Sequence, residues 1–292
     1  MSVETRVTKP LAAAPSTVDT RVASLRAVYI IWYRDILRYW RDRWRLVASL
    51  AQPLLFLVVF GSGLSSSLGG GLFGGGRGLS YTQFMFPGII GMSILFTAIF
   101  GAMSIVWDRE FGFLKEVLVA PIDRWSVAIG KALGSTTQAM IQGLIILVLA
   151  PFVGVKLSFL TVLEIVPLAA VLAFGLSSLG VAIASMMRSL QGFQVVMNFL
   201  MMPMFFLSGA LFPLANLPGW MTVLTRLNPA SYGIDPLRRV VLSDSGLPNA
   251  LVDRLGLTIG GRLLAIPLEV SIMFAFGLVM LGVAVVSFQR RD

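Results

Sequence analysis

Long, almost uninterrupted apolar blocks restrict this chain more than any other feature. A helix needs roughly 20 apolar residues to cross about 30 Å of hydrocarbon, and inside a bilayer only helices or closed barrels satisfy their own backbone hydrogen bonds. Apolar runs reach that length at Leu46–Leu64, Phe84–Trp107, Ser126–Val153, Phe159–Met187, Phe193–Leu211 and Leu263–Phe288. Hydrophobic residues make up 57% of the chain and charged residues 13%, too little polar surface to cover a water-soluble core of this length. The expected fold is therefore an all-α integral membrane protein with six transmembrane helices over residues 46–292.

Residues 1–20 read as a polar, disordered tail, with Pro10 and Pro15 in an Ala/Ser/Thr mix. Residues 21–45 read as a basic amphipathic helix lying on the membrane surface. Leu25, Val28, Tyr29, Trp32, Ile36, Tyr39 and Trp40 share one face, and Arg34, Arg38, Arg41 and Arg45 the other. Ser65–Leu79 reads as a flexible Gly/Ser connector. Pro213–Arg262 carries helix-start signals at Leu217-Pro218-Gly219-Trp220 and Leu227-Asn228-Pro229, which suggest short re-entrant helices before the last span.

The charge pattern gives an orientation. Nine basic residues precede the first span; Arg109, Lys115, Arg124 and Lys131 surround the second connection, Arg188 lies in the fourth, and Arg290 and Arg291 close the chain. The short loops opposite carry Arg77 and Lys156. Short basic loops stay on the cytoplasmic side, so both termini are expected there. The net charge of +9 is read as contact with anionic lipid rather than nucleic acid.

Function classes narrow in the same way. The chain has no Cys and no His, which removes disulfide and thiolate chemistry and the usual zinc or haem ligand sets. No phosphate-binding loop is expected: Gly130-Lys131 has no upstream glycine at the required spacing, and Ala132 stands where Ser or Thr belongs. No cofactor, metal or catalytic residue is assigned to this chain.

The connection Asp108–Arg124 is short, charged and helical, with apolar anchors, and Pro121 breaks it before the next span. It can dock a cytoplasmic partner or remain a solvated loop. Ser135, Gln138 and Gln142 line one face of the third span; they either line a pathway or bond a neighbouring helix, the second being favoured. Glu269 lies inside the sixth span, available to a cationic substrate or a proton, or, as favoured, paired with Arg262 or another external Arg. The fifth span is rich in Met and Phe, and Met197, Asn198, Met201, Phe205 and Phe206 are candidates to line a path for an apolar substrate, with lipid-facing packing the alternative.

Four stretches in order resemble ABC-2 type permeases, the membrane subunits of type-2 ABC exporters. These are Asp108–Arg124; Phe84-Met85-Phe86-Pro87-Gly88-Ile89-Ile90-Gly91; Leu207-Ser208-Gly209 with Phe212-Pro213-Leu214; and Asn228-Pro229-Ala230-Ser231-Tyr232-Gly233-Ile234-Asp235-Pro236-Leu237-Arg238. The nearest flavour is the daunorubicin-resistance branch. The resemblance implies a permease subunit that pairs with a second, identical permease and docks two copies of a separate ABC ATPase chain carrying the ATP and Mg. It implies that Asp108, Arg109, Glu110, Phe111, Gly112, Leu114, Lys115, Glu116, Pro121 and Arg124 form the ATPase-coupling segment. It also implies a bacterial inner-membrane exporter of a lipophilic drug, antibiotic or lipid. Export of lipid-linked glycan is the alternative, with a self-contained channel or ion-driven carrier further off.

Overall fold

The computed structural model describes residues 20–67, 81–111, 123–155, 157–214, 217–244, 248, 252, 255–259 and 262–291. These residues form ten α-helices and one minimal strand pair. The helices are α1 (Thr20–Arg41), α2 (Arg43–Ser67), α3 (Tyr81–Gly101), α4 (Met103–Glu110), α5 (Arg124–Val148), α6 (Phe159–Met186), α7 (Leu190–Phe206), α8 (Gly219–Leu227), α9 (Pro229–Asp244) and α10 (Ile266–Arg291). Strands β1 (Thr258–Ile259) and β2 (Arg262–Leu263) pair antiparallel just before α10. Three stretches are long and apolar enough to cross a membrane: Tyr81–Glu110, Phe159–Met186 and Ile266–Gln289. A fourth arises if α1 and α2, bent by 70° against each other, are taken as one broken span. The chain is an integral membrane protein.

Local chemistry sets the helix ends. Ser158 and Ser189 sit before α6 and α7, and their hydroxyls accept from the backbone N–H groups of Thr161 and Gly192. After α5 the chain tightens into a 3-10 turn at Ala150–Val153 and leaves through Gly154 in the left-handed region. Pro229 opens α9, where its missing N–H costs nothing, and the Asn228 side chain accepts from Ala230 N. The chain turns between α3 and α4 at Ala102, where a 3-10-type bond from Ala102 N to Ile99 O interrupts the α-helical ladder.

Helix α3 is the core. In its most apolar window 78% of residues are buried inside the protein, against 39% for α6 and 17% for α10. Helices α5, α6, α9 and α2 all pack on α3, and α10 covers the far side of α6. Two glycines permit that density. A Cβ on Gly88 would lie 2.2 Å from Ala210 O, and one on Gly91 would lie 2.5 Å from Ile234. Hydrocarbon supplies no force to drive helices together, so close backbone approach of this kind is what association inside a bilayer relies on.

The observed ends shift several expected boundaries. The fifth apolar segment stops at Phe206, not Leu211, because the chain turns at Leu207–Gly209, with Gly209 at φ 79°. The sixth starts at Ile266, not Leu263, since Arg262 and Leu263 belong to β2. The first runs on to Ser67, three residues into the stretch read as a loop. The expected tail and the remainder of the Gly/Ser connector lie outside the described residues. The turn and helix-start signals at Pro218 and Asn228-Pro229 coincide with the starts of α8 and α9.

Helix α1 packs on the protein through a mixed stripe. Its buried stripe is Ser24, Ala27, Ile31, Asp35 and Tyr39, and it lies on α5. Leu25, Tyr29, Ile30, Tyr33, Leu37 and Trp40 point outward. Of the expected aromatic face, Leu25, Tyr29 and Trp40 are exposed, Val28, Trp32 and Ile36 are half-buried, and Tyr39 is buried. A carboxylate and a hydroxyl face the protein, because α5 offers Lys131 and polar side chains there.

Candidate functional site

Three consecutive residues at the end of α4 reach out to four other helices. Successive side chains on a helix are rotated about 100° apart, so Asp108, Arg109 and Glu110 leave α4 in three directions. Asp108 turns inward. Its carboxylate is 2.8 Å from Lys131 Nζ on α5, 2.9 Å from Arg34 Nη2 on α1, and 3.8 Å from Arg38 Nη1. Arg109 Nη1 donates to the carbonyls of Ser185 and Met187, at 2.9 and 2.7 Å, where α6 ends. Glu110 accepts from the backbone N–H of Leu190 at 2.8 Å, at the first residue of α7. Both contacts suit helix termini: a cation on orphan carbonyls and an anion on orphan N–H groups. Arg124 does the same for α10, donating to the carbonyls of Phe288 and Gln289 at 3.3 and 3.1 Å.

Lys131 completes the cluster. It is 2% exposed, and it donates to Asp35 and Asp108, with Ser104 Oγ as a third acceptor at 3.0 Å. An ammonium has three donors, and here each has a partner. The approach depends on Gly130 and Gly134, which flank Lys131 on the face of α5 turned to α1. A Cβ on Gly130 would lie 2.9 Å from Ile31, and one on Gly134 would lie 3.2 Å from Asp35. Gly130-Lys131 thus resembled a phosphate loop only in composition; its place is a small-xxx-small contact around a buried cation.

The expected coupling residues therefore divide. Asp108 faces the protein interior and offers no surface to a partner. Arg109, Glu110 and Arg124 bind other helix ends. Phe111 is exposed and tilts against Trp107, with ring centroids 5.4 Å apart. Gly112, Leu114, Lys115, Glu116 and Pro121 lie outside the described residues.

The polar stripe of α5 bonds helices. Gln138 donates to the Asp35 carbonyl at 3.3 Å, and the Gln142 oxygen accepts from Tyr39 at 3.0 Å and Ser49 at 3.2 Å. Ser135 is buried where Gly101 crosses. On α7, Met197, Met201 and Phe205 point into the protein. The Phe205 ring meets Phe56, Phe96 and Phe206 at 5.9, 6.3 and 5.4 Å. Asn198 and Phe206 are exposed, on the outward side with Phe199 and Met202.

A second buried charged group sits at the other end of α3, and residue patterns had singled out only Glu269 from it. Arg238 is fully buried; it donates to the Gly209 carbonyl and lies 5.2 Å from the centre of the Phe84 ring. Asp235 accepts from Leu257 N at 2.9 Å. Arg239 donates to the Leu264 carbonyl at 2.7 Å and stands 3.8 Å from Glu269. Glu269 is thus placed beside an arginine of α9, Arg239 rather than Arg262. Asn228 donates to Met204 O at 2.7 Å, and Tyr232 donates to Arg226 O at 2.7 Å. Asn228, Ser231 and Arg238 hold the end of α7 and the turn after it, Ser231 through the Leu207 carbonyl at 3.1 Å, while Tyr232 holds α8 and Asp235 the segment before β1. The run is a clamp for the turn after α7, for α8 and for the segment leading into α10.

Residues 26–242 match the family model described as ABC-2 type transporter. The chain belongs to the ABC-2 type transporter family. The matched region runs from α1 to α9 and takes in both charged clusters apart from Glu269. Among curated relatives, a protein of Porphyra purpurea named as transport permease ycf38 is 32% identical over 209 residues, covering 71% of each chain. Nodulation protein J of Rhizobium leguminosarum bv. trifolii is 28% identical over 223 residues, covering 76% of this chain and 80% of its own. YbhR of Escherichia coli K12, named a probable multidrug ABC transporter permease, is 30% identical over 178 residues, 58% of this chain and 46% of its own. The chain is accordingly a transport permease of an ABC transporter system.

Proposed function

We propose that this chain is the membrane subunit of an ATP-driven exporter that moves a lipophilic compound out of the cytoplasm or the inner leaflet of a bacterial inner membrane. Six spans follow if α2, α3 with α4, α5, α6, α7 and α10 each cross. Both termini are then cytoplasmic, and α8 and α9 dip into the outer leaflet before the last span. Two such chains pair, and two copies of a separate ATPase chain, which holds ATP and Mg, dock beneath them.

The observation that carries this reading is the Asp108-Arg109-Glu110 junction. A connection that only reversed the chain would not need one short helix to bind α1, α5, α6 and α7 together. A force delivered to the connection that follows α4 reaches all four helices through these contacts. The docking surface is then the exposed end of α4, with Trp107 and Phe111, and the connecting segment beyond. A substrate path between two subunits would run along the outward face of α7, with Phe199, Met202 and Phe206, and along α2, with Leu55, Val58 and Val59; all of these are exposed in the single chain. Those side chains are apolar and varied in shape, which suits a lipophilic cargo.

The test is purification of the permease from its own membrane under mild detergent, followed by mass measurement and ATP hydrolysis. The expected particle holds two permease chains and two ATPase chains and hydrolyses ATP. A permease that transports with no ATPase attached would end this reading in favour of a self-contained carrier.

A further inference from the structure

Helices α1 and α4 are packed on different parts of the bundle. Helix α1 lies on α5, whereas α4 lies on α6 and α7. What joins them is charge. Asp35 on α1 and Asp108 on α4 converge on one ammonium, Lys131, at 3.2 and 2.8 Å. Arg34 and Arg38, again on α1, close on Asp108 from the open side. The two carboxylates and the lysine are each at most 4% exposed, while Arg34 and Arg38 remain about half exposed. Lys131 is the one charged side chain between Trp125 and Val148. An ionised group sealed inside the protein in this way is a poor choice for stability alone, since an apolar residue of similar size commonly packs as well.

We infer that Lys131 is a positioning residue that pins α1 to α4, so that the surface helix and the connection helix move as one body. This deepens the exporter reading and rests on it for its transport consequence, but the pin itself is a property of the permease alone. Through Lys131, and through the direct Arg34–Asp108 bond at 2.9 Å beside it, motion imposed at either helix reaches the other. Gly130 and Gly134 bring α1 close enough for Asp35 to share the lysine, so the small-residue contact and the ion cluster are one device.

The chain has no cysteine, so an introduced pair is unambiguous. Trp40→Cys on α1 and Trp107→Cys on α4 place nitroxide labels at exposed positions outside the cluster. Pulsed electron–electron resonance on the full-length permease in nanodiscs then reads the distance distribution between them. Three backgrounds are compared: the native cluster, Lys131→Met, and the triple variant Asp35→Asn, Lys131→Met, Asp108→Asn, which removes every cluster charge except Arg34 and Arg38 and leaves no buried carboxylate unpaired. The native cluster should give one narrow distribution, and both variants should broaden it or add a second population while keeping helix content and elution volume. A narrow distribution in either variant would overturn the proposal: in Lys131→Met because the Arg34–Asp108 pair would then hold α1 to α4 without the lysine, and in the triple variant because packing alone would. Aggregation of both variants would also overturn it, by assigning the cluster to folding.

In the reconstituted complex, the triple variant should keep ATP hydrolysis near the native rate and lose transport by about tenfold or more, the scale of an ordinary coupling between two sites. Native transport with broadened distances would overturn the coupling role. If no ATPase partner is found, the exporter reading fails, and the label distances still decide whether Lys131 is the pin.

Discussion

Lys131 Nζ lies 2.8 Å from the Asp108 carboxylate, with both side chains sealed from solvent and 23 residues apart in sequence. Removing one partner of such a pair leaves the other charge buried without compensation, which typically costs roughly 3–5 kcal/mol. Asp108→Ala should therefore lower the thermal unfolding midpoint of the detergent-solubilised permease far more than Asp42→Ala on the exposed link between α1 and α2. Equal midpoints for the two variants would mean that Lys131 finds water or another acceptor.

Gly88 and Gly282 make a matched pair for the packing of α3. A methyl group at Gly88 would collide with the Ala210 backbone at 2.2 Å, whereas nothing lies within 4 Å of one at Gly282. Overpacking of this kind costs about 1–3 kcal/mol or more. Gly88→Ala should reduce the monodisperse fraction seen by fluorescence size-exclusion, and Gly282→Ala should match the native protein. Normal behaviour of Gly88→Ala would show that α3 and the turn after α7 can separate without loss.

Arg238 offers a test of geometry against charge. Its guanidinium reaches the Gly209 carbonyl while stacking over Phe84, and a lysine keeps the charge but lacks the planar fork. Arg238→Lys should make the α8–α9 region more open to limited proteolysis than in the native protein. Arg238→Met should do so more strongly, because Asp235 and Glu269 lose a buried cation that lies within electrostatic reach. An unchanged digestion pattern in both variants would remove Arg238 from the clamp.

Phe205 and Phe199 separate the core of α7 from its open face. Phe205 is 1% exposed within an aromatic group, and Phe199 is 83% exposed. Phe205→Ala should cost about 3–5 kcal/mol of stability and depress transport of all compounds alike. Phe199→Ala should leave the monomer stable and change the ranking of transported lipophiles. The assay is uptake of several chemically distinct lipophiles into inverted vesicles at matched expression. A changed ranking from Phe205→Ala, with no change from Phe199→Ala, would place the substrate path on the opposite side of α7.

Much of the fold can be read from patterns that are local along the chain. Apolar blocks of membrane-crossing length mark Tyr81–Glu110, Phe159–Met186 and Ile266–Gln289. Pro218 and Asn228-Pro229 mark the starts of two short helices. Periodicity also placed Gln138 and Gln142 on one face of α5. It could not say that this face meets α1, because a helical face records only which residues lie together and not what covers them. Nor could periodicity say that Asp35 and Tyr39 of α1 turn to the protein while Tyr29 and Trp40 stay exposed, because in lipid the outside of a helix is apolar too.

The sequence by itself determined the solvent of this protein, its helical class, its principal helix breaks and its family, since each depends on composition or on residues within a few turns of one another. Only the tertiary structure decided what the charged residues do. Asp108 pairs with Arg34 74 residues away, Glu110 caps a helix 80 residues on, and Arg124 reaches carbonyls 164 and 165 residues away. In a low-dielectric interior a charge must take whatever partner the packing brings within about 3–4 Å, and that choice is set by helix crossings that no local pattern encodes.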